Sequence, residues 1–150
     1  MTTRTQPETA VRSAVLTDPA YQAFLLLRTA FTLAPVVFGL DKFFEVLTDW
    51  KVYLAPTLND LVPGSAHQAM LMVGVVEIAA GVLVALRPRL GSYVVAAWLA
   101  GIILNLLLIP GFYDIALRDF GLFVAALALA RLATVFPATY ARKAADRPAS

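Results

Sequence analysis

Long apolar runs separated by short polar breaks dominate the chain. Ala23 to Leu40, Ala69 to Leu86, Tyr93 to Ile109 and Phe120 to Phe136 carry at most one charged residue each. A helix needs about 20 mostly apolar residues to cross a hydrocarbon core of roughly 30 Å, and each run comes to that length with a few flanking residues. The pattern predicts an all-α integral membrane four-helix bundle, with spans at about 22–42, 68–86, 92–109 and 117–136 in a domain of 22–138. Arg87-Pro88-Arg89 with Gly91 reads as a tight turn, and Pro110-Gly111 closes the third run. So short a link makes the second and third helices antiparallel neighbours.

The one long connection, Asp41 to Gln68, is itself patterned. Phe43, Leu47, Trp50 and Leu54 recur at helical spacing, with Asp41, Glu45 and Asp49 on the opposite stripe. This predicts a short amphipathic helix in the first outer loop, lying on the membrane surface with Trp50 and Tyr53 at headgroup depth. A lid packed over the mouth of the bundle is the other arrangement the pattern allows. The acidic stripe reads as a solvated face in preference to a metal site. Residues 1–21 read as a polar cytoplasmic segment and 139–150 as a basic cytoplasmic tail. The first apolar run is too long for a signal-peptide core and lacks a small-residue cleavage site, so the first helix is expected to be retained.

Composition sharpens the choice of solvent. Of 150 residues, 60% are hydrophobic and 15% charged, and the mean hydropathy is +0.76. A soluble bundle needs a charged outer face on every helix, which these runs lack. A net charge of +2, with the bases at the ends of the spans, excludes a nucleic-acid face. Without cysteine the chain has no disulfide, thiolate metal site or thiol relay of its own. Arg4, Arg12, Arg87, Arg89, Arg142, Lys143 and Arg147 fall on one side of the spans, against Lys42, Lys51 and Arg118 on the other. Positive loops are retained in the cytoplasm, which gives a multi-pass protein of the inner membrane with both termini inside.

Ionisable and amide groups within apolar spans are expensive and therefore informative. Here they are Arg28, Glu77, Asn105, Asp119 and Arg131. Counted from the inner ends of their helices, Arg28 and Glu77 lie at similar depth, so an Arg28–Glu77 ion pair between the first two helices is expected. Snorkelling to the inner interface is the alternative for Arg28. Gly74, Glu77 and Gly81 share one side of the second helix, and Arg28, Thr32, Pro35 and Gly39 one side of the first. Small residues on those sides let the backbones approach. Lys42, Asn105 and Asp119 are expected within reach of one another at the outer end, while Arg131 snorkels. The lone His67 has no second His or Cys with which to bind metal. Nothing in the chain forms a phosphate loop, a nucleophile elbow or a His pair for metal or haem, so autonomous catalysis is not expected.

Over roughly residues 22–136 the chain resembles the DoxX-like family of small bacterial membrane proteins. The resemblance rests on Arg28 in the first helix and the Gly39-Leu40-Asp41-Lys42 run at its end, which fits the family's G-x-x-K. Glu77 followed by Gly81, a Pro-Gly turn after the third helix, and Asp119 at the start of the fourth extend it. It implies a four-helix membrane bundle and an association with quinone-linked sulfur oxidation or with membrane oxidoreductase complexes that handle oxidative stress. Together with the interior charges it leads to the expectation of a non-catalytic subunit or scaffold beside redox-enzyme partner subunits. A quinone or lipid would be bound among Arg28, Lys42, Glu77, Asn105 and Asp119. The alternative is a small-solute or proton-coupled carrier with Glu77 as its protonatable site, assembled as a homo-oligomer.

Overall fold

The computed structural model describes residues 16–59 and 64–136. Among them run four long helices, α1 (Pro19–Phe44), α2 (Ala66–Leu86), α3 (Pro88–Leu107) and α4 (Tyr113–Val135). A 3-10 turn, Trp50–Tyr53, and a single helical turn, Pro56–Asn59, lie in the connection between α1 and α2. The expected N-terminal segment falls outside the described residues as far as Val15, and the basic tail falls wholly outside them.

Each helix begins a few residues ahead of its apolar run, and at α1 and α2 a side chain caps the first turn. Asp18 accepts from Ala20 N at 2.9 Å, with Pro19 in the first position. Ser65 and Gln68 form a reciprocal capping box at the start of α2. Arg87 alone links α2 to α3, and Pro88 opens α3 where no intrahelical N–H bond is lost. Gly91 packs so closely on the backbone of Leu83 and Val84 that any Cβ would collide with it.

The expected amphipathic helix in the outer loop is not formed. Asp41 to Phe44 continue α1, Glu45 adopts a left-handed conformation (φ 49°), and the chain turns back on itself. The carboxylate of Asp41 is the cause. It accepts from Val46 N at 3.0 Å and Leu47 N at 3.0 Å, diverting backbone donors that a helix would use.

Three helices, α1, α2 and α3, are long and apolar enough to cross a membrane. α4 matches them in length but carries Asp114, Arg118 and Asp119 in its first turns and Arg131 near its end. Large apolar side chains point outward on all four, among them Leu26, Val75, Leu104 and Leu122. α1 packs most extensively on α2, and α3 on α4. The shared apolar core lies towards the Arg87 end and includes Phe24, Val84, Leu99 and Leu129. There Phe136 meets Tyr21 edge to face, centroids 5.5 Å apart. The polar side chains collect towards the opposite, Trp50 end.

Candidate functional site

The site is built on the seam between α1 and α2. A Cβ on Gly39 would lie 2.6 Å from Gly74 O, and one on Gly81 would lie 2.7 Å from Thr32 O. The two backbones therefore touch at two levels, as small residues on both faces permit. Arg28 Nη2 donates to Ala85 O at 2.6 Å and marks a third level. From Gly39/Gly74 to Thr32/Gly81 to Arg28/Ala85, each step down α1 is an equal step up α2, the register of an antiparallel pair.

That register decides which charges meet. Lys42 Nζ lies 2.6 Å from Glu77 Oε2, and both residues are buried. In the same register Glu77 stands opposite position 36, so Lys42 sits six residues, or about 9 Å, nearer the Trp50 end. Helical side chains lean towards their own N-terminus. Lys42 therefore leans away from the Trp50 end and Glu77 towards it, and the two converge across the offset.

The expected Arg28–Glu77 pair is absent for the same reason. Their levels differ by eight residues, about 12 Å along the axis, and their side chains lean apart. Arg28 instead covers the carbonyl of Ala85 beside a surface cleft of about 250 Å³ lined by Leu25, Thr29, Thr32 and Leu33. The similar depth counted from the inner ends does not hold, because the register of the two helices sets Arg28 and Glu77 at different levels.

A short strap closes over the Lys42–Glu77 pair. The Lys42 ammonium lies 3.8 Å from the centroid of the Trp50 ring, a cation–π contact. Asp41 accepts from Trp50 Nε1 at 2.7 Å and so holds the indole in place. Phe38 and Tyr53 pack against the same indole, each with its ring centroid 5.9 Å away. Farther along, Asn105 of α3 accepts from Ala55 N at 2.9 Å and donates to Tyr53 O at 2.6 Å. Ala55 is completely buried. Of the two arrangements open to this segment, the strap is the lid and not the surface helix.

Lys42, Asn105 and Asp119 are not joined into one polar group. Asn105 is engaged with the strap, while Asp119, buried near the start of α4, has Arg118 Nε at 3.7 Å. A more exposed rim surrounds the strap: Lys51 lies 3.6 Å from Glu45 and 3.5 Å from Asp49, and His67 Nδ1 lies 3.5 Å from Glu45. No group of three or more His, Asp or Glu residues is placed to hold a metal ion among the described residues.

Two tryptophans belong to the site. Trp50 was legible as an interfacial aromatic, though not as a cover for Lys42. Trp98 of α3 was not legible, since nothing distinguishes it within an apolar run. Its Nε1 is buried and faces the Glu77 carboxylate, without a hydrogen bond of ordinary geometry to it.

No protein-family model, curated protein or solved structure matches this chain.

Proposed function

We propose that the chain is a multi-pass inner-membrane protein whose four helices form a bundle with both termini in the cytoplasm, and that it serves as a non-catalytic subunit of an oxidoreductase assembly. α4 is the fourth span, with Arg118 and Arg131 extending to opposite interfaces. The lipid bilayer and redox-enzyme subunits are its partners, in keeping with the DoxX-like resemblance. A quinone or lipid is the ligand class, held against the bundle near the strap. The observation that carries the scaffold reading is the closure of Lys42 on Glu77 beneath Trp50. Each charge has a partner and sits in a backbone seam too tight to slide, which suits a rigid scaffold better than a moving carrier. Purification from native membranes in mild detergent tests it: co-purifying redox subunits with bound quinone or lipid are expected. A protein that runs alone and carries neither would sink the proposal.

One observation favours the carrier alternative. Trp98 Nε1, buried beside Glu77, is a second donor that can support the carboxylate if Lys42 moves away. In reconstituted vesicles a carrier shows pH-dependent uptake that Glu77→Gln abolishes. Undiminished uptake in that variant rules out Glu77 as the coupling group.

A further inference from the structure

The end of the molecule remote from the strap carries cations that the proposed site does not use. A cleft of about 710 Å³ opens where the α2–α3 turn meets the last turns of α4, lined by Arg87, Arg89, Leu90, Tyr93, Ala133 and Thr134. Its size is within the range of small-molecule sites, about 300–1,000 Å³. Among the described residues neither Arg87 nor Arg89 has an ion-pair or hydrogen-bond partner for its guanidinium. The one described acid at this end, Asp18, is occupied in capping Ala20 N.

The turn that presents these arginines is held firmly. Pro88 is buried, Gly91 sits against the backbone of Val84, and the fully buried Ser92 donates from Oγ to Pro88 O at 2.5 Å. The N–H groups of Arg89 and Leu90 belong to the first turn of α3, where no intrahelical acceptor exists. The partial positive charge of that helix end adds to the two guanidiniums. On the α2 side the carbonyl of Ala85 is already covered by Arg28, which offsets the negative end of that helix. Exposed Leu86, Leu90 and Tyr93 flank the charges. Cationic donors bordered by exposed apolar side chains match an amphiphile with a phosphate head and hydrocarbon chains.

We propose that this cleft binds the phosphate headgroup of an anionic phospholipid from the inner leaflet, its chains lying along Leu86, Leu90 and Tyr93. The proposal rests on the membrane placement argued above and is independent of any oxidoreductase partner. Two juxtamembrane cations set a preference for anionic lipid of at least about tenfold. The test uses the full chain in mild detergent, titrated with phosphatidylglycerol and with phosphatidylcholine and read by native mass spectrometry. Retention of phosphatidylglycerol about tenfold above phosphatidylcholine is expected, falling to parity in R87Q/R89Q. Equal retention of the two lipids by the unsubstituted chain overturns the proposal, and that comparison stands whether or not the variant folds. An unchanged preference in a folded R87Q/R89Q overturns it as well. Displacement of phosphatidylglycerol by millimolar inorganic phosphate would instead mark a site for a soluble phosphate compound, and would equally end the lipid assignment.

Discussion

Lys42 shows how much one side chain's surroundings can differ from what its position suggests. It ends a G-x-x-K run at the close of an apolar segment, where a lysine ordinarily reaches to the headgroups. In the fold it is 3% exposed, under an indole and against a carboxylate. Breaking a buried pair by removing one partner strands the other charge and costs about 3–5 kcal/mol, whereas replacing both with apolar groups of similar volume is often neutral. Lys42→Met should therefore lower stability by about 3–5 kcal/mol in detergent unfolding, and Lys42→Met with Glu77→Leu should recover most of it. The corresponding cycle on Arg28 and Glu77 should be additive within about 0.5 kcal/mol. Coupling of Arg28 to Glu77 as strong as that of Lys42 would refute the register described above. The residues of the site were largely legible as polar groups in or beside apolar runs; their partners were not. Depth can be counted along a sequence, but the lean of a side chain matters only once the neighbouring helix is in place.

At the scale of elements, two devices hold the Trp50 end together. Gly39 and Gly74 bring α1 and α2 into backbone contact. Gly39→Leu should then destabilise by at least about 1–3 kcal/mol through overpacking. Gly121→Ala, at a helical position with nothing within 4 Å of the added Cβ, should leave the thermal midpoint unchanged or slightly raised; equal losses from the two would remove the seam from the account. The second device is the Asn105 clasp on Tyr53 and Ala55. Its two hydrogen bonds contribute about 0.5–1.5 kcal/mol each, so Asn105→Leu should speed amide exchange at Ala55 about tenfold or more. Exchange at wild-type rate would mean the strap is held by its aromatic contacts alone. The four helices were readable because hydropathy and capping act locally. The strap was misread because Phe43, Leu47, Trp50 and Leu54 keep helical spacing, while Asp41 redirects the backbone at Val46 and Leu47.

For the whole molecule, the proposed four-span arrangement fixes which helix ends face outward. Absence of native cysteine makes single introduced thiols clean reporters. His67→Cys, at the start of α2, should react in intact cells with a membrane-impermeant maleimide, while Thr134→Cys, near the end of α4, should react only after permeabilisation. Labelling of both from outside would place the ends of α4 on one side and exclude it as a span.

Helices long and apolar enough to cross a membrane, the number of long helices, and the glycine faces of α1 and α2 followed from the sequence. These depend on hydropathy, helical period and side-chain size, which each short segment carries within itself. Tertiary structure alone decided that Glu77 belongs to Lys42 and not to Arg28, that Trp50 covers the pair, and that Asn105 ties down the strap instead of joining Asp119. Each depends on the register of one helix against another and on the direction in which side chains lean. Register is set by the Gly39–Gly74 contact between residues far apart in the chain, and no local pattern contains it.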